Sequence, residues 1–514
     1  ACYPYVKRAP EGGLALDALG WQSQGRPVEA CRTWNNLTIA NSSDFVGWYG
    51  LALCQTRDSL VVRDPTSRSL WRFRTSYHSA LDAYQRAFTL FPPIHRSLRE
   101  GSFASLRRLL MTRGNAIRQG RSESTPVLSF SASPGWQGDS LALIPYPDEV
   151  HLRADPIVAN PTLREAVHRQ RLRFHQIAVA WVASDRADIG AAEALAISLD
   201  LLGDASALDT LRRARALATT AAERLAVATT EVWFRVKFAL PNDDVGLGRA
   251  MALADSILGG RLGTTGPHPG LLAPLAMLTG RVALAASLSR DRQLAASWGV
   301  PAPLIEVAPP LLVFAAAGGP KDSLLRLAAA VVQEAERAGP DFERQAAIQE
   351  WLVRPLTVAY PTVSSALVPG WFTGSDYLAE LQASFDRGDR AAVDAGFVQL
   401  RRSRASLIPE DLGIDALLPE AILLERLGLP DSAAAWLDRT LLRIKGTAAQ
   451  DLADVARAGS LVRAMALRAE LAATAGRLDQ AARWAAPVIA LWQHADPFLR
   501  PLVDRMKHFT VSQP

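Results

Sequence analysis

Apolar and small residues recur along this chain with a helical period, and they do so in paired segments. In the run 76–92, Ala80, Tyr84 and Ala87 stand at i, i+4 and i+7, so one helical face carries two small residues around an aromatic. Pro92 closes the run. A partner helix lies upstream in Trp48-Tyr49-Gly50-Leu51-Ala52. Small residues let two helices approach closely, and the aromatic fills the space beside them. An earlier pair reads the same way, with Leu14, Ala18 and Trp21 on one helix, Gly25 at the turn, and Ala30, Trp34 and Leu37 on the next. Asn41-Ser42-Ser43-Asp44 ends that pair and offers an N-cap to the following helix. Residues 1–13, with Pro4, Pro10, Gly12 and Gly13, read as an irregular lead-in.

The pair at 48–92 resembles a tetratricopeptide repeat (TPR), whose first helix opens W-x-x-L-G and whose second carries Ala, three residues, an aromatic and a closing Pro. Later segments repeat the grammar: Leu381, Gly388, Val393, Phe397 and Leu400; Ala421, Leu424, Gly428, Ala433 and Leu437; Ala469, Ala472, Gly476, Ala481, Ala485 and Val488. Ala196, Leu199, Ala207, Leu211 and Ala214 form a looser set. Pro487 is expected to kink or restart its helix. The spacing from Trp48 to Ala80 is about twice what a 34-residue repeat uses, so residues 58–74 are an insertion. This stretch is polar, and Arg63, Asp64, Trp71, Arg72, Phe73 and Arg74 make it a candidate interaction loop. The competing reading is that Trp71 tucks the loop onto the helices.

Residues 93–120 read as helix. The runs 127–131 and 141–146 are strand-like, with Pro134-Gly135 and Gly138-Asp139 between them, and predict a small hairpin. The expected fold is therefore all-α, a TPR-like helical-hairpin solenoid with one β-hairpin insertion. Its segments are a lead-in (1–13), a TPR pair (14–92), a helix plus hairpin (93–160), divergent helical repeats (161–372), and C-terminal TPR-like repeats with a cap (373–514).

Composition supports helices and narrows the chemistry. The 514 residues are 49% hydrophobic, with Ala and Leu prominent, and the net charge of +5 comes without a dense basic block. Nucleic acid is not implied. No run of about 18 apolar residues is present to span a membrane. The chain opens Ala1-Cys2 without a methionine, which points to a removed signal peptide or to a longer parent chain, with a membrane anchor upstream or at Cys2. Cys2, Cys31 and Cys54 lack the spacing of a zinc site. Cys31 and Cys54 fall at similar heights on neighbouring antiparallel helices. They are either a disulfide, which would suit an oxidising compartment, or two buried thiols. Asn36-Leu37-Thr38 and Asn41-Ser42-Ser43 are formal N-glycosylation sequons. Asn36 falls within a helix, and Asn41, in a turn, is the candidate.

The runs Arg63-Asp64-Pro65, Trp71-Arg72-Phe73-Arg74, Ser76-Tyr77-His78 and Ala83-Tyr84, with Ala490-Leu491-Trp492 and Ala495-Asp496-Pro497 near the end, resemble TPR regions of large bacterial proteins. Many of those sit behind membrane-anchored serine/threonine kinases of Gemmatimonadota-type bacteria. The resemblance implies repeat architecture and an extracytoplasmic location. It does not bring kinase chemistry, because the Gly-rich loop, H-R-D and D-F-G motifs are missing.

Nothing else in the sequence assembles a reaction centre. His168 and His175 could share a helix face but have no carboxylate partner at ligand spacing. Gly318–Ser323 lacks the phosphate-loop spacing and reads as a helix-to-helix turn with an N-cap. Asp148-Glu149 and Asp243-Asp244 read as solvated loop pairs. The expected catalytic, cofactor-binding and metal residues are none, and the expected cofactor is none. The expected role is a non-enzymatic scaffold for protein partners, itself included. The alternatives are a filament-forming surface protein and the ligand-sensing region of a receptor kinase. The polar final segment Val503–His508 reads as a cap, which favours a discrete particle over stacking.

Overall fold

The computed structural model describes residues 10–58, 60–66, 71–75, 77–90, 118–122, 128–132, 142–145, 160–260, 268–297, 300–339, 381, 384–405 and 413–511. Its contacts divide the chain into two compact units, residues 1–202 with 402–408, and residues 203–401 with 409–514.

The first unit opens with α1 (Pro10–Ser23), α2 (Pro27–Ala40), α3 (Phe45–Arg57) and α4 (Tyr77–Thr89), each packed on the one before. Helix begins inside the stretch expected to be irregular, at Pro10, a residue whose fixed φ suits a first helical position. Gly25, at φ +69°, makes the α1–α2 turn. Asp44 caps α3, its carboxylate accepting from the Val46 and Gly47 amides. The interior matches the periodicity: Ala30, Trp34, Leu37, Ala80, Tyr84 and Ala87 are all buried. Tyr84 meets Tyr49 edge-on with ring centroids 6.2 Å apart, and Tyr49 stacks on Phe45 at 5.4 Å. The long α5 (Asn160–Ser184) packs on α4, and α6 (Ile189–Leu201) packs on α5. Phe88 of α4 lies against Trp181 of α5, and Arg173 reaches back to Asp82 and Gln85.

Two chain excursions from these helices join in one sheet. Strands β1 (Leu60–Arg63), β2 (Trp71–Phe73), β3 (Arg118–Ser122), β4 (Leu128–Ala132) and β5 (Ala142–Pro145) take the order β2-β1-β3-β4-β5. The hairpin expected at 127–146 is present as β4–β5 and forms one side of this larger sheet. The helix expected over 93–120 does not reach its end, since 118–122 is β3; the rest of that stretch lies outside the described residues. β1 and β3 run parallel, and every other neighbouring pair runs antiparallel.

The second unit continues with α7 (Ala207–Leu217), α8 (Ala221–Ala239), α9 (Asp244–Leu258), α10 (Pro269–Leu278), α11 (Val282–Leu288), α12 (Arg292–Ser297), α13 (Ala308–Ala317) and α14 (Lys321–Ala338). α15 (Arg390–Ala405) belongs to it as far as residue 401. It ends with α16 (Ile414–Arg426), α17 (Pro430–Leu441), α18 (Ala449–Leu452), α19 (Val455–Thr474), α20 (Leu478–Leu491) and α21 (Arg500–Val511). α19 is its axis, packing against α10, α13, α16 and α20. The close approach is made at Gly459, where a Cβ would lie 2.8 Å from the Ala316 carbonyl oxygen and 2.7 Å from Cε of Met277.

Pro487 does not restart its helix. α20 runs through it to Leu491, as α10 runs through Pro274 and α16 through Pro419. Each proline forfeits one backbone hydrogen bond, but all three are buried, so packing of the ring offsets the loss. The turn at 318–320 joins α13 to α14 with Gly318 at φ +68°; Pro320 holds the N-cap position with no side-chain cap, and Arg463 donates to the Ala315 carbonyl. At the chain end, α21 buries Val503 and Met506 against its neighbours and keeps Asp504 and Lys507 outward.

At the start of α8, Thr220 and Glu223 form a reciprocal capping box. The Thr219 and Thr220 amides donate to Glu223, and these bonds hold its carboxyl down at about 2, from 4.5. The stabilisation from this depressed group is complete above pH 4.5 and is lost as pH falls toward 2. Carboxyl NMR should report a Glu223 midpoint near 2, moving upward in a Thr220→Ala, Thr219→Ala variant, which keeps both amides but removes the Thr219 hydroxyl that also donates to Glu223 and the Thr220 cap; a midpoint in the ordinary range in the unmodified protein would refute the cap.

Candidate interaction surface

The insertion between α3 and α4 is pinned at its base and charged at its tip. Asp58 follows α3, and its nearly inaccessible carboxylate accepts from the Leu60 amide. Arg74, at the other end of the insertion, donates to the same carboxylate through Nε and Nη2, both at 2.9 Å. Such a forked pair holds planar geometry far better than a single contact. Thr75 Oγ1 adds a bond to the Gln55 carbonyl at 3.0 Å. Val61 and Phe73 pair on one face of the hairpin and are buried; Arg72, paired with Val62 on the other face, is exposed, as is Arg63 at the end of β1.

At the tip, Asp64 accepts from the amide and hydroxyl of Thr66 and pairs with Arg72 across the hairpin at 3.3 Å. Arg72 Nη1 also donates to the Phe73 carbonyl at 3.0 Å, occupying part of the β2 edge. Across the rest of the sheet the register pairs Leu60 with Arg121, Gly120 with Phe130, and Phe130 with Leu143. Of the six candidate loop residues, Arg63, Asp64 and Arg72 are therefore at the tip, and Phe73 and Arg74 anchor the loop. Trp71 pairs with Arg63 by register, and its side chain lies outside what is described. Phe73 is thus an anchor of the insertion, and Asp58, its basal counterion, was not singled out because a lone Asp after a helix carries no signature. Phe73→Ala should cost about 3 kcal/mol or more locally. Hydrogen exchange at the Val61 and Phe73 amides should accelerate while α19 is unaffected; unchanged protection of β1 would show that Phe73 is not the anchor.

Beneath this insertion, α2 and α3 are joined by a Cys31–Cys54 disulfide, with Cα atoms 5.4 Å apart. Cys2 lies outside the described residues. Asn41 is the residue after α2, and its Oδ1 accepts from the Ser43 amide at 3.2 Å and the Ser43 hydroxyl at 2.8 Å.

The remaining polar candidates are structural. His168 is exposed, whereas His175 Nδ1 contacts buried Ser198 at 3.0 Å, so the two do not converge. Among the described residues, no three His, Cys, Asp or Glu side chains form a metal-holding group. Asp243 caps α9 through the Gly246 amide, and Asp244 is that helix's first residue. Asp148-Glu149 lies outside the described residues. No described helix is long and apolar enough to cross a membrane.

No family model matches the chain. No curated protein matches it either. Among solved structures, it is similar to a chain of Naa15/Naa10 bound to HypK-THB, with TM-score 0.26 and 13% identity, over 99% of this chain and 62% of that one. It is also similar to the human IFIT1 dimer with m7Gppp-AAAA, with TM-score 0.27 and 12% identity, over 94% of this chain and 90% of that one. This chain thus spans less than two thirds of the first, and likenesses this distant bring no partner or activity with them.

Proposed function

We propose that this chain is a non-enzymatic, TPR-like helical scaffold that mediates protein–protein interaction at or outside a bacterial cell membrane. The observation that carries the reading is the insertion on the helical-hairpin frame: a fixed base at Asp58–Arg74 and an outward tip bearing Arg63, Asp64 and Arg72. Preorganised charged loops on rigid helices bind with little ordering cost. The Cys31–Cys54 bond supports the location, since such bonds persist in oxidising compartments.

Two measurements test it together. Alkylation of thiols in intact cells before lysis should leave Cys31 and Cys54 unmodified in the native protein; labelling of both would remove the support for the location. An Arg63→Ser, Arg72→Ser variant should keep its melting temperature and lose its retained protein partners. Full retention by that variant would place binding elsewhere.

A further inference from the structure

Two sequons lie five residues apart in this chain, and the fold treats them differently. Asn36 sits within α2, and the hydroxyl of its Thr38 is buried and donates to the Asn35 carbonyl at 2.8 Å. Asn41 follows the helix in extended geometry, at φ −142° and ψ 90°, and Ser42 and Ser43 are exposed. The Ser43 hydroxyl is held against the Asn41 side-chain amide at 2.8 Å, and Asn41 Nδ2 has no hydrogen bond among the described residues. The Ser42 carbonyl accepts from Trp48 Nε1 at 2.9 Å, which fixes the backbone of the turn, where Asn41 is half-buried. The acceptor amide, the sequon hydroxyl and an extended backbone are therefore presented together at Asn41 and at Asn36 are not.

We propose that Asn41 is an N-glycosylation site and that Asn36 is not, a proposal that rests on the reading of the chain as exported. In the reaction, Asn41 Nδ2 attacks the anomeric carbon of a lipid-pyrophosphate-linked oligosaccharide. The sugar–oxygen bond breaks, the lipid pyrophosphate leaves with its electron pair, and Nδ2 gives up one proton. A glycan at this turn projects from the end of the α2–α3 hairpin, away from the buried Trp34 and Leu37. Asn36 is itself exposed, but unwinding α2 to give it an extended backbone and to free the buried Thr38 hydroxyl would break helix bonds in the segment tied to α3 through Cys31.

The test is secretion of the full chain, behind a signal peptide, from a eukaryotic host that glycosylates sequons, followed by peptide mapping of the oxidised protein. The expected result is one oligosaccharide, at Asn41, released by peptide-N-glycosidase. It should be lost in Asn41→Gln and Ser43→Ala and retained in Asn36→Gln. Secreted protein with an intact Cys31–Cys54 bond and an unmodified Asn41, or with the glycan at Asn36, overturns the proposal. Those outcomes leave the location reading standing, because that reading is tested separately by thiol labelling in cells.

Discussion

Replacing Gly50 with alanine is expected to cost about 3 kcal/mol, the upper end of what an added methyl costs in a packed interior. A Cβ there would lie 2.4 to 2.6 Å from three atoms of the Trp34 indole. The ring is buried and cannot swing clear, and the helices cannot part because Cys31 and Cys54 tie them. Gly20 supplies the control: it is helical too, but nothing lies within 4 Å of its Cβ position. Gly20→Ala should therefore stabilise by up to about 1 kcal/mol, from helix propensity alone. Urea unfolding of the two variants reads the difference. Equal effects would mean that α2 and α3 do not meet at Trp34 and Gly50.

Removing the disulfide should be comparably costly. The cysteines are 23 apart in sequence, and the chain-entropy relation gives about 3 kcal/mol for a loop of that size. A Cys31→Ala, Cys54→Ala double variant should lose that amount, and reduction of the unmodified protein should lose the same. If reduction lowers stability and the double variant does not, the effect belongs to free thiols and not to the bond. Thiol titration of the unfolded, unreduced protein completes the test: one reactive thiol is expected, from Cys2, and three would contradict the bond.

What the sequence disclosed was local. Ala80, Tyr84 and Ala87 announce a helix face because residues three and four apart share that face in any helix. Trp34 and Leu37 did so for α2, and the turn glycines Gly25, Gly388, Gly428 and Gly476 all take positive φ. What stayed hidden was non-local. β1 pairs with β3 across a long stretch of intervening chain, and β3, Arg-Gln-Gly-Arg-Ser, has no strand propensity of its own. Its conformation comes from its neighbours. The same holds for Pro487, which is buried and lies within one continuous helix where a restart was the local expectation. At the candidate surface, the aromatics and charges of 58–74 were legible, but which of them turn inward was not. That depends on the Asp58–Arg74 fork, whose partners are 16 residues apart.

The central claim is that the tip of this insertion contacts protein. The most direct measurement places a photo-cross-linking amino acid at position 72, exposed on β2, and irradiates intact cells carrying the full chain. A discrete protein adduct at position 72, absent when the cross-linker is moved to buried position 61, is the result expected. A folded chain that incorporates the cross-linker at positions 63 and 72 and yields no protein adduct from either would contradict the account.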